Sequence, residues 1–234
     1  MVAQITIYLK LNNILFTGQH GFRNGHSCET TLHELIPDLN LNRDKRLISL
    51  LLFIDFRKAF DLVDYRKLLH KLFHYGFDNS ALNLIANYFT DRFQGVKFNR
   101  KLYSLMSIKL GITQGSVLGP LFFLLMINDL AFIMELACKM FADDADQDLN
   151  ILINRFLAKI KPLLDCCFFN KLDLNWSKTY FMFVTNRRVK LPSEITVKQI
   201  INNKTVEVSV KVVNSFRLLG VTLDNKINLI RALL

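Results

Sequence analysis

Phe141-Ala142-Asp143-Asp144 ends a short apolar run that begins at Met140, and upstream Leu51-Leu52-Phe53-Ile54-Asp55 closes on an acid in the same way. Adjacent carboxylates repel each other and resist burial. A cation offsets both penalties. Magnesium takes oxygen ligands, uses few protein carboxylates and fills its shell with water and substrate phosphates. Asp55, Asp143 and Asp144 at the tips of two strands therefore form a half-site suited to a nucleotide. Two such ions would stabilise the attacking and leaving oxygens of an in-line phosphoryl displacement. Read alone, Asp143-Asp144 also fits an acidic turn and Asp55 a helix cap.

Two further segments favour the metal reading. Gly111-Ile112-Thr113-Gln114-Gly115-Ser116-Val117-Leu118-Gly119-Pro120 is a glycine-spaced loop that runs into the apolar stretch Leu121 to Ile127, with Pro120 suited to a first helical turn. Glycine there lets backbone approach a ligand. After Asp55 comes Phe56-Arg57-Lys58-Ala59-Phe60-Asp61, then a helix from Asp64 to Tyr75 with an Asp cap, apolar Leu68, Leu69, Leu72 and Phe73, and Gly76 at its end.

Leu52 through Asp64 resembles motif A of the reverse transcriptases of non-LTR (LINE-type) retrotransposons. Gly111 to Pro120 with Ile127-Asn128-Asp129-Leu130 is similar to motif B, Phe141-Ala142-Asp143-Asp144 to motif C, and Leu174-Asn175-Trp176-Ser177-Lys178-Thr179 to motif D. Leu218 to Asp224 is similar to the motif E region, and Gln19-His20-Gly21-Phe22-Arg23 with Ser27 to a fingers motif. These segments follow the family's order along nearly the whole chain. Departures such as Ala145, Thr113 and Cys166 remove no metal ligand.

The resemblance implies an α+β polymerase palm, an antiparallel sheet backed by helices, with partial fingers and the thumb largely missing. Its divisions are partial fingers over 1–46, a palm over 47–184 with a fingers-like insertion near 76–110, and the end of the palm over 185–234. The expectation is a core fragment of a longer or decayed polyprotein. Asp55 and Asp143 are implied to hold two Mg2+ (or Mn2+) ions, Asp144 to be an accessory ligand, and the Phe56 carbonyl to complete a metal shell. Gln114 and Gly115 would border the incoming deoxynucleoside triphosphate. Lys178 would lie near the pyrophosphate or be a surface lysine. Arg23 would touch template or nucleotide, or form a structural ion pair. Phe60 would exclude a ribose 2′-hydroxyl, or be a core aromatic.

The implied activity is RNA-directed DNA polymerisation on an RNA template and a DNA primer. A non-catalytic nucleic-acid-binding remnant is the alternative, and an RNA-templated RNA polymerase a third possibility that Phe60 argues against. Composition agrees with a polyanionic partner: 30 Lys and Arg against 20 Asp and Glu give a net charge of +10. Basic residues gather at Arg43 to Arg46, Lys97 to Lys101 and Arg187 to Lys190.

A hydrophobic fraction of 51% with 20 Phe allows a sizeable core at 234 residues. No stretch reaches the roughly 20 apolar residues of a membrane span. Met1 to Leu11 lacks the features of a signal peptide. Cys28, Cys138, Cys166 and Cys167 form no CxxC pair, which fits a reducing intracellular compartment, nuclear or cytoplasmic. Asp144, Asp146 and Asp148 are spaced as in a calcium loop, but Leu149 and Arg155 stand where Gly and Glu are required. The periodicity predicts strands over Arg46–Ile54, Phe93–Phe98, Tyr103–Lys109, Thr179–Val184, Thr205–Val213 and Ser215–Leu223. It predicts helices over Asn79–Thr90 and Leu149–Asn170, the latter kinked or split at Pro162.

Overall fold

A computed structural model of the chain describes residues 1–113, 115–138, 149–201, 204–218, 221–227 and 229–231. In chain order the elements are α1 (Val2–Leu11), α2 (Cys28–Asp44), β1 (Ser49–Phe53), α3 (Tyr65–His74), α4 (Asn79–Phe89) and the short strands β2 (Phe93–Gln94), β3 (Lys97–Phe98), β4 (Lys101–Leu102) and β5 (Met106–Ser107). There follow α5 (Gly119–Cys138), α6 (Leu149–Phe169), a 3-10 turn at Trp176–Lys178, β6 (Tyr180–Val184), β7 (Glu194–Ile201), β8 (Lys204–Lys211), β9 (Ser215–Leu218), β10 (Val221–Asp224) and β11 (Leu229–Arg231). They fall into two compact units. One comprises Met1–Phe16, Lys58–Asp129 and Asn170–Leu172; the other comprises Thr17–Arg57, Leu130–Phe169 and Asp173–Leu234. No described helix is long and apolar enough to cross a membrane.

In the first unit, side chains one helical turn apart put one face of α1, α3 and α4 into a common core, while α5 is buried all round from Leu121 to Met126. Ile5 and Leu9 of α1, Leu68 and Leu72 of α3, Ile85 and Phe89 of α4, and Phe122 and Met126 of α5 form that core. Helix α3 begins at Asp64, whose Oδ1 accepts the amides of Arg66 and Lys67. It stops at Gly76, where φ is +85° and the amides of Gly76 and Phe77 donate to Phe73 and Leu72. Asn128, 1% exposed, ties the unit together: its Oδ1 accepts the Phe16 amide at 3.0 Å and its Nδ2 donates to the Ile14 carbonyl at 2.8 Å. Asp129 beside it receives Lys71 Nζ at 2.6 Å and Asn170 Nδ2 at 3.3 Å.

Residues 60–63 meet residues 111–112 in this unit. The Gly111 amide donates to Val63 and that of Ile112 to Phe60, at 2.9 and 2.8 Å. A Cβ on residue 111 would stand 2.7 Å from the Asp61 carbonyl oxygen, and φ there is +92°. Only glycine fits without strain. The hairpin that precedes it turns at Asn99-Arg100, with φ of 46° and 62°, as a two-residue turn of positive φ requires. Lys97 faces Leu102 but Gln94 faces Met106, so the return strand carries one extra residue, a bulge.

In the second unit β1 runs antiparallel to β6 in the register Ser49↔Val184 to Phe53↔Tyr180. Leu39 of α2, Met182 and Val184 of β6, Leu223 of β10 and Ile227 form a core cluster. Helix α6 buries Leu152, Phe156, Ile160, Leu163 and Leu164, with the Phe156 ring edge-on to Phe181 at 5.9 Å. β7 pairs with β8, and β10 lies between β9 and β11.

Several boundaries differ from the sequence expectation for local reasons. β1 starts at Ser49 because the amides of Arg46 and Leu47 donate to Arg43 and Asn42 and close α2, with Arg46 at φ +57°. Pro162 does not split α6, whose buried residues on both sides of the proline hold one continuous helix. The stretch Ser215 to Leu223 is two strands paired with each other, β9 and β10.

Two consequences are measurable. Gly111→Ala should lose about 1–2 kcal/mol from the left-handed backbone and more from the overlap with Asp61, whereas Gly115→Ala, at φ +79° with open space around it, should lose the backbone part alone. Urea unfolding of both variants gives the difference. The second concerns Asp64. Burial pushes its carboxyl up, but the hydrogen bond from Lys171 at 2.7 Å and those from the two amides outweigh it and leave the group below its usual 3.8. A lowered value means stability that is present above 3.8 and lost as pH falls through the folded value. Asp64→Ala should therefore cost about 1 kcal/mol at neutral pH. Unfolding midpoints compared at pH 7 and under acid should show that cost shrink in acid.

Candidate active site

The β1/β6 ladder continues past Phe53 as an isolated antiparallel bridge between Phe56 and Leu174. On either side of it the Asn175 amide donates to the Asp55 carbonyl and the Arg57 amide to the Asp173 carbonyl, both at 2.8 Å. Phe56 is thus the non-hydrogen-bonded member of the pair, and its own N–H and C=O face away from residues 173–175. Asn175 holds the side chain of Asp55 as well, donating from Nδ2 to Oδ2 at 3.0 Å. Asn175 is itself fixed. Its Oδ1 accepts Ser177 Oγ at 2.7 Å, and its carbonyl accepts the Lys178 amide at 2.9 Å and Thr179 Oγ1 at 3.0 Å. Asn175 therefore sets the path of the chain through its backbone N–H and the rotation of the half-buried Asp55 carboxylate through its side chain.

The remaining expected residues distribute as follows. Phe56 lies in this second unit, and Lys178 is exposed at the end of the 3-10 turn. Arg23, in the same unit, donates to the carbonyls of Thr17 and Gln19 at 3.1 and 3.2 Å and so folds its own loop. In the first unit the Phe60 ring stacks on Phe123 with centroids 4.4 Å apart, and Gly115 is exposed at positive φ. Gln114, Asp143 and Asp144 lie outside the described residues, as do Asp146 and Asp148. Among the described residues no group of three His, Cys, Asp or Glu could hold a metal ion. Asp55 supplies hard oxygen donors of the kind magnesium prefers.

Asn175 was not singled out in the sequence, where Lys178 drew attention in the same motif. The signal was available: an amide between Leu174 and Trp176 sits in apolar company and needs a partner.

Two basic runs that are far apart in sequence converge in the second unit. Lys45 and Arg46 line one groove of about 610 Å³ with Asn186, Arg187 and Arg188. The register that pairs Ser49 with Val184 brings them to the same end of the ladder. Like charges gathered in one concavity raise its potential and attract anions.

Comparison with known proteins agrees with these features. The sequence pattern of the family described as reverse transcriptase (RNA-dependent DNA polymerase) matches residues 1–223. A "Probable RNA-directed DNA polymerase from transposon X-element" of Drosophila melanogaster is 28% identical over 130 residues, 56% of this chain and 14% of that protein. A second from transposon BS of the same organism is 34% identical over 118 residues, 50% of this chain and 13% of that protein. The chain thus spans about one seventh of these relatives. Among solved structures, apo telomerase from Candida tropicalis, truncated from its C-terminal domain, superimposes with a TM-score of 0.59 at 11% identity over 99% of this chain and 45% of that one. Telomerase from the same organism with a fragment of telomeric RNA gives 0.58 at 13% identity over 98% and 37%. That likeness establishes a polymerase fold, here built of helices and small antiparallel sheets. With the ordered motifs and the match over 1–223, it leads to one conclusion: the chain belongs to the reverse transcriptase (RNA-dependent DNA polymerase) family.

Proposed function

We propose that the chain is the catalytic core of a transposon RNA-directed DNA polymerase, adding deoxynucleotides to a primer 3′-hydroxyl on an RNA template. The observation that carries this is the double hold of Asn175 on Asp55, because a carboxylate fixed in rotation at a strand tip is what metal ligation requires. Divalent cations held by Asp55, Asp143, Asp144 and the Phe56 carbonyl would activate the primer hydroxyl and neutralise charge on the leaving pyrophosphate. Asp55 would present one oxygen while Asn175 keeps the other in place. The outward direction of the Phe56 carbonyl suits the same task.

On this reading β1, β6 and the helices around them belong to a palm, and residues 1–46 to partial fingers. Phe60 would border the sugar of the incoming nucleotide beside Gly115 and Gln114. Its stacking on Phe123 limits how far the ring can retreat from a 2′-hydroxyl, which supports DNA rather than RNA synthesis. Lys178 would approach the triphosphate. The basic groove at Lys45, Arg46, Arg187 and Arg188 would take phosphates of the nucleic acid.

Asp55→Asn should abolish magnesium-dependent extension of a primer on an RNA template and also the rise in melting midpoint that magnesium gives the native chain. Native-level extension by the variant would refute the metal assignment. Asn175→Ala should keep the fold and raise the magnesium concentration for half-maximal effect by about tenfold. The groove gives a separate expectation. The double variant Arg187→Gln, Arg188→Gln should weaken duplex binding and reduce the slope of log affinity against log salt by about 0.9 for each phosphate no longer neutralised. An unchanged slope in a salt titration would remove the groove from the interface.

A further inference from the structure

The hairpin of β2 to β5 carries its apolar side chains outward. Val96, Phe98, Tyr103 and Met106 are 64%, 63%, 52% and 72% exposed, whereas the apolar residues of α3, α4 and α5 build a core. The pairing decides which of them share a face. Phe98 lies opposite Lys101, and the Tyr103 amide donates to the Val96 carbonyl, so Val96, Phe98, Lys101 and Tyr103 point to one side. Val96, Phe98, Tyr103 and Met106 line a single groove of about 730 Å³ on it.

Charge selects the occupant. From Arg92 to Lys109 the hairpin carries Arg92, Lys97, Arg100, Lys101 and Lys109 and no Asp or Glu. The positive-φ turn places Arg100 at the tip. A second copy of the same surface would be repelled. A polyanion with apolar, planar groups between its charges would be drawn in, and unpaired nucleotides have that composition. A duplex keeps its base faces stacked inside and offers nothing to Phe98 or Tyr103.

We propose that this hairpin is a stacking platform for single-stranded nucleic acid, with bases on Phe98 and Tyr103 and phosphates against Arg100 at the tip and Lys101 on the same face. It deepens the polymerase reading by naming the form of strand bound, and it rests on that reading for the class of partner. Because the platform acts in binding, it is independent of the Asp55 chemistry.

The test is fluorescence anisotropy of the chain with a labelled mixed-sequence RNA of about 20 nucleotides, long enough for one platform, against the duplex of the same sequence. Phe98→Ala and Tyr103→Ala should each weaken single-strand binding by about tenfold and leave duplex binding nearly unchanged. Phe98→Leu, which keeps apolar bulk without a ring, should weaken the single strand almost as much while melting like the native chain. Arg100→Gln with Lys101→Gln should reduce the salt slope for the single strand by about 1.4, at roughly 0.7 for each charge. Native single-strand affinity in the aromatic variants overturns the platform, as does equal loss for both strands. A shift from dimer to monomer in sedimentation, with nucleic-acid binding intact, overturns it in favour of a self-interface. A native chain that binds duplex but not single strand refutes the hairpin alone, whereas one that binds neither refutes the nucleic-acid reading itself.

Discussion

The register of β1 against β6 is the constraint on which the rest of the site depends. Side chains alternate across a strand, so sliding β1 by one residue would carry Asp55 to the opposite face and put Ile54 or Phe56 in its place. Such a slip is blocked at both ends. At one end the strand enters from a helix closed by the Arg46 and Leu47 amides; at the other, Asn175 binds the backbone and side chain of Asp55 together. Buried Phe181, Met182 and Phe183 hold the partner strand between these points. Core packing thereby becomes angular precision at one carboxylate.

The first unit applies a similar logic with different groups. Its helices are set by apolar faces, but the joins between distant segments are polar and specific. Asn128 fastens the chain after α1, Asp129 draws in Lys71 and Asn170, and Gly111 lets two backbones run closer than any side chain would permit. Buried amides of this kind specify one arrangement, because a misplaced partner leaves a desolvated donor or acceptor behind. The stacked rings of Phe60 and Phe123 then stand on a framework that cannot slide.

Much of this was legible from the sequence where a local rule governs the outcome. Asp64 and Gly76 bracket α3 as the caps predicted, and apolar spacing alone defined α4, which Asp78 caps by accepting the Ala81 amide. The motif order singled out Asp55, which the structure holds at the strand tip beside Asn175. What remained hidden depends on contacts across the chain: the grip of Asn175 joins residues 120 positions apart, and the convergence of Arg46 with Arg187 needs the strand register. Helix α2 was missed because Cys28 to Asp44 shows little contrast between its faces and contains Pro37. β8 was expected but its partner β7 was not, although the two match residue for residue along their length.

Arg46 holds a further implication. It occupies the left-handed position that ends α2, where glycine would sit without strain and an L side chain costs about 1–2 kcal/mol. The same residue lines the cationic groove beside Arg187. Robustness of the fold and attraction for phosphate therefore pull this position in opposite directions. A lineage under pressure for heat tolerance alone would drift toward glycine here and shed a positive charge; one under pressure to keep the groove cationic would retain the strained arginine.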